Sequence, residues 1–168
     1  MNPSARPSIR RSHAQLFLLF RLGEDRYALD VHEVVEVLPL RQLKQIPEAP
    51  AWVAGLFNYR GVPVPVLDLS VQAVGRPARA RTSTRLVLVH YRPGQCLGLI
   101  LEQATDTLRC AAEEFREYGL DNGEARYLGP VRQDANGLVQ WIRVAELLPD
   151  ALRERLFPAP SAEARGHD

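Results

Sequence analysis

Short apolar segments separated by polar turns dominate the hydrophobic pattern of the chain. Residues 16–22 are rich in Leu and Phe, residues 23–25 form a Gly-Glu-Asp turn cluster, and residues 26–29 follow, so this region predicts a β-hairpin. Adjacent valines favour a strand over a helix at residues 31–38. Further strands are predicted at residues 52–57, 62–67, 85–91, 95–101, 105–110, 126–132 and 138–142.

Turn and helix signals complete this pattern. The Arg-Pro-Gly segment at 92–94 predicts a second hairpin, and Asn136-Gly137 suits a tight reversal. An acidic stretch at 111–118 predicts one or two helical turns. Helical spacing appears only near the end, at Val144, Leu147, Leu148, Leu152 and Leu156, with Pro149 as an interruption. About eight to ten short strands with one closing helix predict an all-β barrel or sandwich.

Two prolines give the strand predicted at 62–67 a particular place in the sheet. Pro63 and Pro65 lack amide protons, and amides two residues apart in a strand point towards the same neighbour. A neighbouring strand on that side would therefore receive no hydrogen bond from either residue. This strand is predicted at an edge of the sheet or beside a gap in its pairing.

The length and charge of the chain narrow the possible classes of protein. Its 168 residues suggest one compact domain or two small barrels that share a core, with a disordered arm at 1–13 and a disordered tail at 158–168. With 21 basic and 20 acidic residues the net charge is +1, which argues weakly against nucleic acid as the main partner. No apolar run approaches the roughly 20 residues that span a bilayer. The cytoplasm is therefore the expected location.

An arginine-rich loop at residues 74–84 is the best candidate for an internal boundary. Proteins that bind single-stranded nucleic acid combine cations with stacking aromatic rings, and no ring stands among these cations. A solvated loop is therefore favoured over a nucleic-acid contact. The cations of this region are Arg76, Arg79, Arg81 and Arg85.

No arrangement of residues predicts catalysis, a metal site or a cofactor site. A Cys–His hydrolase would need Cys96, His90 and Asp106 to meet, but Cys96 lies in an apolar strand, where a thiol is ordinarily inert. Cys96 and Cys110 are predicted to be buried free thiols rather than a disulfide. The phosphate-binding patterns G-x-x-x-x-G-K and G-x-G-x-x-G are absent, and Glu113-Glu114 is interpreted as a solvated face. The histidines lack zinc-ligand spacing and stand at His13, His32, His90 and His167.

The turn Asn58-Tyr59-Arg60-Gly61 places one cation at the tip of an otherwise apolar hairpin. Gly61 is predicted to supply the positive φ that the reversal requires. A turn that only reverses the chain favours small polar residues, whereas Arg and Tyr are enriched at protein interfaces. Arg60 is therefore predicted to contact another protein.

The segments around this turn follow a specific pattern. They read "YALDVHEVVEV" and "IPEAPAWVAGLFNYRGVPVPVLDL", and "TRLVLVHY", "GLILE", "YLGPV" and "LVQWIRVAELL" follow later. The matching positions are Tyr27, Asp30, Val34 to Val37, Pro47, Pro50, Trp52, Gly55, Asn58 to Gly61 and Pro65 to Leu69. Over about residues 14–157 the chain resembles the CheW family, the coupling proteins of bacterial chemosensory arrays.

Three features depart from the usual family pattern. Tyr59 replaces the usual Leu, Glu102 stands where Asp is common, and the 74–84 loop is unusually rich in Arg. These departures affect the expectation of which receptor and which kinase the protein binds. The variant "FNYRG" is similar to coupling proteins of alternative chemosensory systems, such as Wsp-type pathways that control a diguanylate cyclase.

The resemblance implies a mainly β, CheW-like fold of two small SH3-like β-barrels packed together, with a short C-terminal helix. The expected barrels are about residues 14–75 and, with the closing helix, 82–157. One barrel would contact the regulatory domain of a CheA-type histidine kinase, and an apolar groove between the barrels would receive the cytoplasmic tip of a chemoreceptor. Self-association in array rings is a further expected contact, whereas nucleic acid and direct membrane insertion are not expected. The protein would be a cytoplasmic adaptor recruited to membrane receptor arrays.

The resemblance also implies which residues bind partners. Glu36 and Arg60 are expected to form an exposed ion pair of about 0–1 kcal/mol that holds the turn, and Val34 and Val87 are expected to supply apolar contacts. The full set of expected partner-binding residues is Val34, Glu36, Asn58, Tyr59, Arg60, Gly61 and Val87.

Two other functions remain open from the residues alone. The first is a regulator of the same family that sequesters the kinase or the receptor instead of coupling them. The second is an SH3-like or OB-like nucleic-acid-binding barrel that uses the arginine loop.

Overall fold

The computed structural model describes residues 13–159, which form nine β-strands, two α-helices and three 3-10 turns. The strands are β1 (Ala14–Leu22), β2 (Asp25–Asp30), β3 (Val34–Pro39), β4 (Val53–Tyr59), β5 (Val62–Asp68), β6 (Arg85–Arg92), β7 (Gln95–Ala111), β8 (Leu128–Asp134) and β9 (Gly137–Ile142). The helices are α1 (Leu69–Val74) and α2 (Asp150–Leu156), and the 3-10 turns are Val31–Glu33, Ala112–Glu114 and Val144–Glu146. The predicted disorder of the arm and the tail falls almost wholly outside the described residues.

Strand β7 takes part in two sheets and connects them. Its first part, up to Leu101, pairs antiparallel with β6, and its second part, from Glu102, pairs antiparallel with β1. Next to this change of partner, Gln103 has a left-handed backbone with φ of 50°, and the register with β1 shifts there as at a β-bulge. The strands predicted separately at 95–101 and 105–110 are therefore one 17-residue strand.

The strands form two barrels, and neither barrel is a continuous half of the chain. Barrel 1 consists of β1, β2, β8, β9 and the second part of β7, while barrel 2 consists of β3 to β6 and the first part of β7. The division expected between 14–75 and 82–157 does not match this pairing. The N-terminal hairpin belongs with the C-terminal strands, because β1 pairs with β7 and β2 pairs in parallel with β9.

Apolar side chains fill each barrel and the space between the two. The largest cluster takes buried side chains from both barrels, so the barrels share a core; it includes Phe20, Leu29, Val87, Leu99 and Ile142. A second cluster lies in barrel 1, with Phe17, Ala28, Cys110, Phe115 and Val139. A third lies in barrel 2, with Val64, Val66, Leu86 and Leu88. This double burial explains why strand β6 and the first part of β7 are apolar on both faces.

The pairing of β5 confirms the position expected from its prolines. Along Val62–Pro65 this strand pairs only with β4, and its pairing with β7 begins at Val66. The missing amide protons of Pro63 and Pro65 therefore leave no ladder incomplete. The chain reverses direction at the free tip of the β4–β5 hairpin.

Side-chain capping explains two short elements that the hydrophobic pattern did not indicate. The Asp30 carboxylate accepts a hydrogen bond from the backbone N–H of His32, which favours a 3-10 turn where the strand at 31–38 was expected to begin. The Asp68 carboxylate accepts from the N–H groups of Ser70 and Val71 and so starts α1. At the other end of the chain, Pro149 separates the last 3-10 turn from α2, as the interruption in the helical pattern predicted.

Candidate functional site

The β4–β5 hairpin presents its turn with a tightly specified backbone. Tyr59 and Val62 are the last paired residues, and Arg60 and Gly61 between them have positive φ angles of 51° and 83°. Two-residue turns with this backbone favour Asn-Gly, because both central residues are left-handed. The Asn58 side-chain oxygen accepts a hydrogen bond from the Gly61 N–H at 3.0 Å. Gly61 therefore has the predicted role, and Asn58 shapes the turn.

Arg60 occupies a backbone conformation that costs a side chain other than Gly or Asn about 1–2 kcal/mol. We expect Arg60→Asn to raise the free energy of unfolding by about 0.5–1 kcal/mol, since Asn tolerates this conformation better. Urea unfolding followed by circular dichroism measures the change. An unchanged or lower stability would mean that contacts of the Arg60 side chain offset its backbone strain.

Tyr59 connects Glu36 of β3 with Arg60 of the turn. Its hydroxyl donates a hydrogen bond of 2.5 Å to Glu36 Oε2, and the Arg60 guanidinium lies over its ring, 5.1 Å from the centroid. The hydrogen bond to Glu36 is the main reason why the pKa of Tyr59 is raised. We call these three residues the Glu36–Tyr59–Arg60 cluster.

The expected ion pair between Glu36 and Arg60 is not formed among the described residues. Glu36 uses its carboxylate to hold the Tyr59 hydroxyl, and the Arg60 guanidinium stacks on the ring of the same tyrosine. The tyrosine that departs from the family pattern thus stands between the two charges. Arg60 is exposed and keeps its hydrogen-bonding capacity available to a partner.

The two valines expected at the site are less accessible than the resemblance implied. Val87 is fully buried in the core shared by the barrels, so direct contact between its side chain and a partner is excluded in this fold. Val34 is half-buried and packs against the same core. Exposed apolar surface is instead supplied by Val37, the cross-strand neighbour of Val87, at 44% exposure and by Val62 beside the turn at 59%. A partner can therefore reach Val37 on β3 but not its neighbour Val87 on β6.

A model of the CheW-like domain matches residues 16–152 of this chain. The chain belongs to the CheW-like domain family. The two SH3-like barrels with a short C-terminal helix, which the resemblance implied, are therefore the fold of this protein.

Individual relatives agree with this CheW-like assignment. The chemotaxis protein CheW of Klebsiella aerogenes is 31% identical over 103 residues, which cover 61% of each protein and hence less than two thirds of that relative. The chemotaxis protein CheW of Helicobacter pylori is 25% identical over 135 residues, or 79% of this chain and 80% of that protein. The scaffolding protein TtCheW from Thermoanaerobacter tengcongensis has the same fold, with a TM-score of 0.72 at 19% identity over 89% of this chain and 96% of that one. These findings support a chemotaxis coupling adaptor and do not favour the sequestering or nucleic-acid alternatives.

Side chains of neighbouring residues hold the backbone of the arginine loop in this CheW-like chain, while the guanidinium groups of the loop stay exposed. The buried Thr84 hydroxyl bonds to the Arg79 carbonyl, and Glu102 accepts a hydrogen bond from the Arg79 N–H. Asp68 accepts a further one from the Ala78 N–H. Arg76, Arg79 and Arg81 are exposed, as expected for a solvated loop.

Only two of the three candidate catalytic residues are brought together. His90 and Cys96 are cross-strand partners in barrel 2, while Asp106 pairs with β1 in barrel 1. Burial raises the pKa of the Cys96 thiol, which disfavours the reactive thiolate. Cys96 and Cys110 are free, and Cys110 is buried. Within residues 13–159 no group of His, Cys, Asp and Glu has the arrangement of a metal site, and no helix is long and apolar enough to cross a membrane.

A cleft of about 440 Å³ lies where the 3-10 turn after β2 meets strands β8 and β9. The resemblance implied an apolar groove between the barrels, but the sequence assigned none of the residues of this cleft to it. The only signal in the sequence is a carboxylate, Glu33, beside the valines that begin β3. The cleft is lined by Glu33, Pro130, Trp141, Arg143, Val144, Ala145 and Glu146.

Proposed function

We propose that this protein is a non-enzymatic adaptor that couples the cytoplasmic tip of a chemoreceptor to the regulatory domain of a CheA-type histidine kinase. It would work in the cytoplasm, recruited to membrane receptor arrays. Membership of the CheW-like family supports this role. The observation that carries it is the exposed guanidinium of Arg60, held over Tyr59 on a rigid hairpin at a cost in backbone strain.

The docking surface consists of the Glu36–Tyr59–Arg60 cluster and the apolar residues beside it. Arg60 and Tyr59 would contact the partner, since these residue types dominate binding energy at interfaces. Glu36 orients Tyr59 through their hydrogen bond. Val62, the cross-strand partner of Tyr59, would add apolar contact beside the cluster, and Val37 would add it from the opposite face of β3. Asn58 and Gly61 shape the turn. The exposed part of the half-buried Val34 side chain would add a small apolar contact, and the buried Val87 packs beneath β3.

Two barrels on one rigid body suit a scaffold that must hold two partners at a fixed separation. Each additional contact in an array raises the effective concentration of the next partner without any chemistry by the adaptor. Individually weak contacts are therefore sufficient. Self-association of copies in array rings stays a prediction of the family resemblance.

Reconstitution of the signalling complex tests the coupling function. We expect this protein, added to receptor-containing membranes and a CheA-type kinase from the same cell, to increase kinase autophosphorylation and make it responsive to receptor ligand. Omission of the receptor membranes is the control, because an adaptor has nothing to couple without them. Phosphate transfer measured with radiolabelled ATP gives the readout.

Two outcomes would contradict coupling and identify an alternative. A fall in autophosphorylation with added protein, with or without receptor, indicates a sequestering regulator. A salt-sensitive shift with oligonucleotides that disappears on changing Arg76, Arg79 and Arg81 to Ala indicates a nucleic-acid-binding barrel.

A further inference from the structure

The cleft beside β8 and β9 combines an apolar wall with one half-buried carboxylate. Trp141, Pro130 and Val144 supply apolar atoms, and the carboxylate belongs to Glu33. Glu33 Oε2 is buried and has no hydrogen-bond donor among the described residues. A buried polar atom without a partner costs about 1–3 kcal/mol. A donor supplied by another molecule would remove that cost for the carboxylate.

The charges around the cleft favour a cation. Glu33 and Glu146 are both acidic, and the guanidinium of Arg143 at the rim is paired with Glu117 outside the cleft. His32, next to Glu33 in the chain, is paired with Asp30 instead. Of the charged residues that line the cleft, only Arg143 is basic, and its charge is already matched. The side chains that line the cleft therefore carry more negative than positive charge, and the nearby Arg92 guanidinium is bound to the Ala145 carbonyl.

The aromatic wall of the cleft is fixed in place. The Trp141 ring meets Phe17 at 4.9 Å and Phe115 at 5.2 Å, with edge-on angles of 80° and 66°. These contacts tie the indole to the core of barrel 1, so its position does not depend on a ligand. A rigid indole near a carboxylate suits a guanidinium or ammonium group on an aliphatic stem.

We propose that this cleft binds the side chain of an arginine or lysine from the docking partner, with the cationic group at Glu33 and the stem against Trp141. Glu33 directly precedes Val34, so the cleft continues the docking surface on β3. The identity of the occupant as a partner side chain rests on the proposed function, but the chemistry of the cleft does not. The partner would thus be held at two points, by Arg60 of this protein and by a cation of its own.

The ionisation of Glu33 adds a pH dependence to this site. Burial, and secondarily the charge of Asp30, raises the pKa of Glu33 to about 7. Below that pH the carboxyl is protonated and neutral, and above it the carboxylate attracts a cation. A guanidinium stays charged throughout this range. Affinity should therefore increase about tenfold from pH 6 to pH 8, in proportion to the ionised fraction of a group with a pKa of about 7.

Titration with n-butylguanidinium, which reproduces an arginine side chain, tests the cleft without any partner protein. We expect it to shift the amide resonances of Glu33 and Ala145 and the indole N–H of Trp141, with a Kd of about 1–10 mM for so small a ligand. Neutral n-butylurea has nearly the same shape and should bind at least about tenfold more weakly, since it makes no charge-assisted contact. Glu33→Gln should abolish both the preference for the cation and the pH dependence.

Equal binding of the two probes, or a flat pH profile of the unmodified protein, would overturn the proposal. Arg60→Glu is the companion variant, because it removes the docking cluster and should leave n-butylguanidinium binding unchanged. If the unmodified protein bound n-butylguanidinium but bound neither partner, that result would contradict the proposed function alone. If Glu33→Gln bound the partner as strongly as the unmodified protein does, the cleft would not hold a cationic side chain of that partner.

Discussion

Changing Arg60 to Glu should abolish binding to receptor membranes and to the kinase while the fold stays intact. The guanidinium is exposed and stacks on Tyr59, so its loss disturbs no buried contact. An interface arginine at a hot spot contributes 2 kcal/mol or more, and charge reversal adds repulsion, so we expect affinity to fall by at least about a hundredfold. Co-sedimentation with receptor membranes and surface-immobilised kinase give the two affinities. Circular dichroism verifies the fold.

The matched control is Arg109→Glu, which makes the same charge change at another exposed arginine, on the barrel 1 part of β7. It should bind both partners normally. Arg60→Ala should lie between the unmodified protein and Arg60→Glu, because it removes the contact without adding repulsion. Native binding of Arg60→Glu to both partners would refute the docking surface. Equal losses in Arg60→Glu and Arg109→Glu would show that net charge, rather than the cluster, governs binding.

Changing Gly55 to Ala should destabilise the protein by about 3 kcal/mol or more. Gly55 lies in β4 with φ of 149°, and a Cβ atom there would meet the backbone oxygen of Lys44 at 2.5 Å. That oxygen accepts a hydrogen bond of 2.7 Å from the Leu56 N–H, while the Lys44 N–H donates one of 2.9 Å to the Leu56 carbonyl. Relief of the clash would break this bridge, which fixes the middle of β4. Urea unfolding gives the loss of stability.

Gly94→Ala separates the clash from backbone strain. Gly94 also has a positive φ, 73°, but no atom lies within 4 Å of the position of an added Cβ. Its replacement should cost only about 1–2 kcal/mol, the price of a left-handed backbone for an ordinary residue. Similar losses for the two variants would mean that the Lys44 segment moves away without cost. If Gly55→Ala folds, we also expect weaker partner binding, since the lost Lys44–Leu56 bridge would no longer hold the turn in one orientation.

Arg60→Glu and Gly55→Ala both test whether a fixed hairpin presents the docking side chain. A docking side chain at the tip of a hairpin is useful only if the hairpin does not move, because ordering a mobile loop on binding costs affinity. In this protein the Lys44–Leu56 bridge holds the middle of β4, Asn58 holds the turn, and Tyr59 connects the tip to Glu36. The strained backbone of Arg60 is compatible with such a fixed tip.

Local features of the site could be predicted because their causes are local. The positive φ of Gly61 follows from the two-residue turn, and the unpaired edge of β5 follows from the missing amide protons of Pro63 and Pro65. The interruption before the closing helix follows from Pro149. In each case one residue restricts its own backbone or its own hydrogen bond, and no distant contact changes that restriction.

Contacts between distant segments were predicted less well. Glu36 was expected to pair with Arg60, yet the Tyr59 hydroxyl reaches it instead, and only the approach of β3 to the hairpin decides between these partners. Val87 was expected to contact a partner, but it is buried in the core that the barrels share. A strand that is apolar on both faces gives no sign in its sequence of which residues a partner can reach. The cleft at Glu33 likewise depends on segments more than a hundred residues apart along the chain, Glu33 and Val144.

The amino-acid sequence by itself determined the β architecture, the turn with its cation and the family to which the chain belongs, because alternation, glycine, proline and motif spacing act over short ranges. Only the tertiary structure decided which strands share a barrel, which valines stay exposed and which partner each charge has. Those outcomes depend on β7 changing its partner from β6 to β1, which brings the first hairpin against the last strands. Burial and pairing are properties of that assembled arrangement, and no single segment contains them.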